Sequence, residues 1–304
     1  GRSLKEVWGA EGPGTYLTLM SAGFPNLFIV NGAVFCNFTR CAEVVGDWVQ
    51  WQVSDDQGTI EAIEPRQNLF YRQDDVRTES FAANLDQVLV LVAAEPTFAI
   101  QLVARALIAA THAGIPTLIA VNKADLQAPF KTAWDRLSAY RNLGSHMLGL
   151  SLLESNEGLA DLQTLLQDKT TLVLGPSGVG KSTLINRLVP QAQALTQGIS
   201  RALNSGKHTT TTTTWYWVDD AKKTALLDSP GFQSFGLHHI AAQDLVRCMP
   251  DLASHAQACK FHNCTHVHEP GCGVRQALAE KVLDPDRYQL YMEIHAELSC
   301  HKPF

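Results

Sequence analysis

The sequence predicts an α/β domain with a parallel sheet, preceded by a small β-barrel and followed by a helical domain with a metal site. Residues 1–72 contain short segments that alternate polar and apolar residues, whereas residues 73–235 alternate strand-like and helix-like segments around a glycine-rich loop. Residues 236–304 combine helix-like patterns with a cluster of cysteine and histidine. A chain of 304 residues usually divides into two or three domains, and we expect three with these boundaries.

Composition excludes several classes of protein. The 24 Lys and Arg residues are outnumbered by 30 Asp and Glu residues, so the net charge is −6 and any RNA contact must use local basic patches. The apolar runs at 87–94 and 117–121 are shorter than the roughly 18 residues of a membrane helix, so no membrane partner is expected. Seven cysteines, three of them near histidines, fit metal binding in a reducing compartment better than disulfides. We expect a cytoplasmic protein and a monomer.

The N-terminal segment is predicted to be β structure. Gly, Pro, Asn or Asp residues separate stretches that alternate apolar and polar residues, at 15–20, 27–35, 48–52 and 58–63. A small barrel accommodates such strands, and it either binds oligonucleotides or only docks on its neighbour. Residues 73–84 are polar and aperiodic, and they predict a linker.

A phosphate-binding loop is predicted between the apolar run at 172–174 and the helix-like segment at 183–188. Its glycines let successive backbone N–H groups converge on one concavity, where they and the helix N-terminus hold phosphate oxygens. Lys181 is predicted to reach the outer phosphates and to act in catalysis, and Ser182 is predicted to bind Mg²⁺. The alternative is an empty glycine turn. The predicted loop consists of Gly175, Pro176, Ser177, Gly178, Val179, Gly180, Lys181, Ser182 and Thr183.

A guanine-binding tetrad follows a predicted parallel strand. Strands are expected at 87–93 and 117–121 with a helix between them, so the residues after the second strand lie at a ligand-binding edge. The carboxylate of Asp125 accepts hydrogen bonds from the N1–H and the 2-amino group of guanine, which adenine lacks, and this selects GTP over ATP. Ser151 or a neighbour is expected to close over the base. The tetrad consists of Asn122, Lys123, Ala124 and Asp125, of which Asn122 braces the loop.

Two switch segments are predicted downstream of the phosphate loop. One hydroxyl among Thr209, Thr210 and Thr211 is expected near Mg²⁺ and the terminal phosphate, and Thr210 is assigned; the alternative is a β-rich threonine tract without chemistry. Asp228 and Gly231 belong to an Asp-Ser-Pro-Gly motif at the end of a strand-like segment. Asp228 is predicted to bind Mg²⁺ through water, and the Gly231 N–H to meet the γ-phosphate.

The residue after this motif is Phe232, where many GTPases place the glutamine that orients the attacking water. Phenylalanine cannot orient water, so intrinsic hydrolysis is expected to be slow. His208, which precedes the threonines, is the nearest candidate in sequence for this role. The alternative is that His208 only packs.

A zinc site is predicted from three thiols and one imidazole within fourteen residues. Tetrahedral Zn²⁺ prefers such ligands, and four protein ligands leave no open position for water, so the metal is assigned a structural role. The alternative is a reduced, metal-free loop whose cysteines act as small core residues. The ligands are Cys259, Cys264, His266 and Cys272. Flanking helices are expected at 241–249, 274–279 and 286–298.

The motifs occur in a permuted order, because the tetrad at 122–125 precedes the phosphate loop at 175–183. This predicts a circularly permuted α/β P-loop GTPase domain, which is permissible because every ligand loop lies on one edge of the sheet. One consequence is that the switch ending at Gly231 leads directly into the C-terminal domain.

With these motifs, and with the threonine segment and the cysteine cluster, nearly the whole chain resembles the RsgA (YjeQ/YloQ) family of circularly permuted GTPases. The resemblance implies an OB-fold for residues 1–72 and an association with the small ribosomal subunit and its rRNA. The expected function is GTP hydrolysis, stimulated by the subunit, that assists its late maturation; GDP is the product. The alternatives are a nucleotide-gated RNA-binding module with incidental turnover and a guanine-nucleotide kinase. The kinase is disfavoured because no acceptor-nucleotide pocket is evident.

Replacing Asp125 with Asn is expected to weaken GTP binding and to favour xanthosine nucleotides. Each charge-assisted hydrogen bond lost from guanine should cost about 1.5–3 kcal/mol. Titration of the variant with GTP and with xanthosine triphosphate measures the effect. Unchanged GTP affinity would remove the guanine assignment.

Overall fold

The computed structural model describes residues 44–54, 57–190, 192 and 213–300, together with four N-terminal strands between 15 and 35. His208 and Thr210 of the predicted switch lie outside the described residues. No helix among those described is both long and apolar enough to cross a membrane.

The N-terminal strands pair in the antiparallel direction. Strands β1, β5 and β6 form one sheet, while β2, β3 and β4 form a meander whose first strand pairs with a strand of the central domain at Ser21 and Thr214. The barrel itself stays a prediction. The strands are β1 (Thr15–Thr18), β2 (Ser21–Phe24), β3 (Leu27–Val30), β4 (Ala33–Phe35), β5 (Trp48–Ser54) and β6 (Gln57–Ile63).

The predicted linker at 73–84 is wrong, because these residues continue a two-stranded antiparallel ribbon of β7 (Leu69–Gln73) and β8 (Thr78–Ala83). The Asp74 carboxylate accepts hydrogen bonds from the backbone N–H groups of Val76 and Arg77, both at 3.0 Å, and this closes the turn. One end of β8 is exposed and the other is buried, so the segment lacks the regular alternation that marks a strand in sequence. The boundary expected near 72 therefore falls within a strand.

The central sheet has five parallel strands in the order β11, β10, β9, β12, β14, followed by the antiparallel β13. Every residue of β9 is buried, which is typical of a parallel strand covered by helices on both faces. The predicted parallel α/β sheet is confirmed. The strands are β9 (Gln87–Ala93), β10 (Thr117–Asn122), β11 (His146–Leu150), β12 (Thr170–Leu174), β13 (Thr214–Trp217) and β14 (Ala225–Asp228).

Helices cover both faces of this sheet because alternate residues of each strand point to opposite sides. Val88 and Val90 of β9 face α1, α2 and the C-terminal helices, whereas Leu89 and Leu91 face α4 and α5. Residues 127–142 form two helices rather than one. The helices are α1 (Ile100–His112), α2 (Gln127–Arg136), α3 (Ser138–Asn142), α4 (Leu159–Leu166) and α5 (Lys181–Leu188).

The C-terminal part is helical, as predicted, with a 3₁₀ helix at Ala242–Cys248 followed by α6 (Pro250–Ala256), α7 (Gly273–Ala279) and α8 (Pro285–Cys300). Arg287 of α8 makes the polar contacts between this helix and its neighbours. Its Nε and Nη2 lie 2.6 and 3.0 Å from the Asp251 carboxylate, and its Nη1 donates to the Tyr140 hydroxyl at 2.9 Å. Because Tyr140 belongs to α3, this contact joins the C-terminal helices to the central domain.

Replacing Asp251 with Asn is expected to destabilise the protein by about 3 kcal/mol, because the Arg287 guanidinium then stays buried without its carboxylate. The two side chains are 10% and 7% exposed. Asp135→Asn is the matched control, since it breaks an exposed pair with Lys131 and should cost less than about 1 kcal/mol. Urea unfolding of both variants decides the matter; equal, small losses would contradict a docking role for Arg287.

Candidate active site and metal centre

The predicted nucleotide motifs meet at one edge of the central sheet. Asn122 ends β10, the phosphate loop follows β12, and Asp228 ends β14, and these parallel strands run in the same direction. In register, Asn122 is opposite Ala93 of β9, and Val173 of β12 is opposite Asp228. The carboxyl ends of parallel strands are where open α/β sheets bind ligands.

The phosphate loop has a backbone shape that requires glycine at two positions. Gly178 and Gly180 have φ of +81° and +104°, which other L residues rarely adopt. A Cβ on Gly180 would also lie 2.4 Å from the Asn122 side-chain nitrogen. These conformations turn the chain sharply just before α5. Backbone N–H groups of such a loop and the N-terminus of the helix that follows it together form an anion-binding site.

Lys181, the first residue of α5, folds back over the phosphate loop. Its Nζ donates hydrogen bonds to the carbonyl groups of Gly175 and Pro176 at 2.7 and 2.9 Å. Burial lowers the pKa of Lys181, and the nearby Asp228 carboxylate opposes this shift. The ammonium group is therefore placed to exchange two carbonyl partners for phosphate oxygens without leaving the loop.

Asn122 connects the loop after β10 to the phosphate loop. Its Nδ2 donates to the carbonyl of Val179 at 2.9 Å, and its Oδ1 accepts from the Leu152 N–H at 3.3 Å. Asn122 is buried, so these bonds are shielded from water. The predicted bracing is present, and it extends to the segment after β11.

Asp125 is oriented by Ser151. The Ser151 hydroxyl is fully buried and donates to Asp125 Oδ1 at 2.8 Å. Lys123 has φ of +65° and the Ala124 N–H bonds to the Leu150 carbonyl at 2.9 Å, so the tetrad turns sharply beside β11. The second carboxylate oxygen of Asp125 is thereby left for a ligand. Of the two leucines that follow Ser151, Leu152 is buried in the core, whereas Leu153 is 69% exposed.

Gly231 lies beside the phosphate loop. A Cβ at Gly231 would be 3.4 Å from both Lys181 Nζ and the backbone nitrogen of Ser177. The approach is fixed by Ser229, whose buried hydroxyl donates to the Val173 carbonyl at 2.7 Å. Sequence reasoning missed this role of Ser229, because the partner is 56 residues away in the chain.

Phe232 points into the core rather than toward the nucleotide edge. It is 3% exposed, and its ring packs edge-on against Phe235 at 5.5 Å between centroids. The side chain at this position therefore serves packing, as expected from its lack of polar atoms.

The four predicted zinc ligands are brought together. Their ligand atoms all lie within 4.8 Å of one another. His266 Nδ1 is 3.4 Å from Cys259 Sγ and 3.5 Å from Cys272 Sγ, and these two sulfurs are 3.9 Å apart. A tetrahedral Zn²⁺ with bonds of about 2.0–2.3 Å needs ligand separations of this size.

Contacts around the cluster suit thiolates. The N–H of Gly273 donates to Cys259 Sγ at 3.3 Å, and that of Arg275 donates to Cys272 Sγ at 3.5 Å. Both N–H groups belong to the first turn of α7, where such groups lack helical partners. Metal-ligating side chains are typically held by such hydrogen bonds from the surrounding protein.

Two tyrosines of α8 hold the loop that carries the cluster. The Tyr288 hydroxyl donates to the His266 carbonyl at 2.7 Å, and the Tyr291 hydroxyl donates to the Thr265 carbonyl at 2.8 Å. The Tyr291 ring is buried, and the half-buried Tyr288 ring packs against the same core. Their hydroxyl contacts had no sequence signal, because they depend on a loop more than twenty residues away.

Comparison with known proteins gives a consistent family. The model of the RsgA GTPase family matches residues 63–238. The small ribosomal subunit biogenesis GTPase RsgA of Variovorax paradoxus (strain S110) is 60% identical over 261 residues, covering 84% of this chain and 82% of the relative. The protein of the same name from Bordetella pertussis (strain Tohama I) is 46% identical over 249 residues, covering 82% and 83%.

Solved structures with the same fold include YloQ, described as a circularly permuted GTPase. It matches with a TM-score of 0.69 at 27% identity, covering 96% of this chain and 97% of that one. YjeQ from Thermotoga maritima matches with a TM-score of 0.70 at 24% identity, covering 95% and 100%, and supports the fold alone. Because the family model spans more than half of the chain and a relative reaches 60% identity, this chain belongs to the RsgA GTPase family.

Proposed function

We propose that this GTPase hydrolyses GTP at the carboxyl edge of its central sheet while it is bound to the small ribosomal subunit, whose late maturation it assists. The observation that carries the proposal is the position of Gly231 beside Lys181, on a segment that continues directly to the C-terminal helices. A γ-phosphate contact at Gly231 would then change the position of the C-terminal helices, which can contact the subunit. The names of the relatives, small ribosomal subunit biogenesis GTPase, agree with this partner.

The proposed nucleotide contacts follow from the loops at the sheet edge. Residues 175–183 hold the phosphates of GTP or GDP, and residues 122–125 hold the guanine base. Ser182 and Thr210 bind Mg²⁺, Asp228 contacts it through water, and Gly231 senses the γ-phosphate. Lys181 and His208 are the proposed catalytic residues.

The subunit contact is proposed to include rRNA, and the protein to act as a cytoplasmic monomer. Since the net charge of the chain is −6, binding must depend on local patches rather than on the whole surface. A nucleotide-gated RNA-binding module would show the same contacts but no stimulation of hydrolysis by the subunit.

Zn²⁺ is the proposed occupant of the cysteine cluster. The donor set and separations fit a tetrahedral site with four protein ligands, and the surrounding N–H groups suit thiolates. Such a metal contributes folding free energy to the loop that the α8 tyrosines hold.

Small ribosomal subunits are expected to raise the steady-state GTPase rate on the order of tenfold or more, because Phe232 cannot orient water and a partner must complete the site. His208→Ala should remove mainly the stimulated part of the rate. His146→Ala is the control, since His146 begins β11 at the opposite end of the strand from the nucleotide edge.

Rates with and without subunits decide between the possibilities. A His208→Ala variant stimulated as well as wild type would exclude His208 as the group that orients water. Binding of subunits without any stimulation would favour the RNA-binding module.

Protein purified without chelator is expected to contain one zinc per chain, because three cysteine sulfurs and one imidazole, the donors that tetrahedral Zn²⁺ prefers, lie within 4.8 Å of one another. Cys259→Ser should lose the metal, while Cys300→Ser, which changes an exposed cysteine outside the cluster, should keep it. Elemental analysis measures the content. Hydrogen exchange should show that zinc removal loosens residues 240–304 more than the central domain, and a wild-type protein without zinc would contradict the assignment.

A further inference from the structure

The segment after Gly231 is held by its backbone. Three successive carbonyl groups, at 234–236, each accept a hydrogen bond from another element. The donors are the Arg72 guanidinium for Ser234, the Arg105 guanidinium for Phe235 at 3.3 Å, and the N–H of Gln73 for Gly236 at 3.1 Å. The segment is therefore anchored three to five residues beyond Gly231, on β7 and α1.

Arg105 makes a second contact that connects this anchor to α8. Its Nη1 donates to Glu297 Oε1 at 3.0 Å as well as to the Phe235 carbonyl, and its Nη2 donates to Glu297 Oε2. The Arg105 guanidinium holds the pKa of Glu297 below its usual range, so the carboxylate is charged at neutral pH. His238 Nε2 lies 3.5 Å from the same carboxylate.

We propose that Arg105 is a positioning residue for the γ-phosphate contact, and that Glu297 fixes its orientation. The inference rests on the proposed function, because it takes the Gly231 N–H as the group that meets the γ-phosphate. A movement of α8 then changes how firmly the far end of the Gly231 segment is held. The position of the C-terminal helices thereby sets the preference of the site for GTP over GDP.

The physical basis is preorganisation. Phe235 is 2% exposed and packs against Phe232, so only three residues separate Gly231 from this held position. Holding that point reduces the conformational entropy that is lost when the Gly231 N–H meets a phosphate. GDP has no γ-phosphate, so its affinity does not depend on this entropy.

The chemistry also explains why position 105 needs arginine. One Nη1 carries two N–H bonds, which serve the Phe235 carbonyl and Glu297 Oε1, while Nη2 completes a two-bond contact with the carboxylate. A lysine ammonium is a point charge that cannot reproduce this fork.

The test measures the affinity of the full-length protein for GDP and for a non-hydrolysable GTP analogue. Arg105→Gln and Glu297→Gln should each lower the affinity for the analogue about three- to tenfold, as expected for losing one hydrogen-bonded contact. The affinity for GDP should stay within about twofold of the wild-type value. The double variant should be no weaker than the stronger single variant, because both changes break one connection.

Tyr140→Phe is the matched control. It removes a different contact between α8 and the central domain, the hydrogen bond from Arg287, and Tyr140 does not touch the Gly231 segment. Its ratio of analogue to GDP affinity should equal that of wild type. The inference is overturned if Arg105→Gln loses affinity equally for both nucleotides or loses none. It is also overturned if Tyr140→Phe shows the same selective loss of affinity for the analogue.

Failure of the proposed function gives a different result. In that case wild-type hydrolysis is not stimulated by small ribosomal subunits, whatever the variants do. Failure of the inference alone leaves wild-type stimulation intact and the affinity ratio of Arg105→Gln unchanged.

Discussion

The nucleotide edge depends on the buried side chain of Asn122. One amide joins the loop after β10 to the phosphate loop through Val179 and to the segment after β11 through Leu152. A buried amide that satisfies both its donor and its acceptor in this way fixes the loops relative to one another, because breaking either bond leaves an unpaired polar group away from water. The loop after β10 and the phosphate loop are thus held together even though Asn122 and Val179 are 57 residues apart in the chain.

This constraint explains why a permuted chain order is tolerated. The site requires loops at the carboxyl ends of neighbouring parallel strands, and the order β10, β9, β12, β14 provides them however the strands are connected. Permutation changes the point at which the chain leaves the site. The chain leaves the phosphate loop's neighbourhood at Gly231 and enters the helical part that carries the cysteine cluster, so Gly231 and the C-terminal helices are close in sequence.

The sequence predicted those parts of the site whose residues are close together in the chain. The phosphate loop, the tetrad ending in Asp125 and the four predicted zinc ligands each lie within a short stretch of chain, and the structure brings the four predicted ligands together. The ribbon at 69–83 was missed because a strand with one exposed end lacks alternation. Ser229, Tyr288 and Arg105 act through partners distant in sequence, and no local pattern encodes such pairs.

Phe232 shows how packing and catalysis compete for one position. Its ring, with those of Phe235, Phe70 and Phe81, forms an aromatic cluster that ties the segment after Gly231 to the β7–β8 ribbon. A glutamine there would interact with water but would leave the cluster with a void, which usually costs several kcal/mol when an aromatic side chain is lost. Phe232 thus packs in the core at the position where many GTPases have a catalytic side chain. Under the proposed function, another group must then orient the attacking water, and for this reason the bound subunit is expected to stimulate hydrolysis.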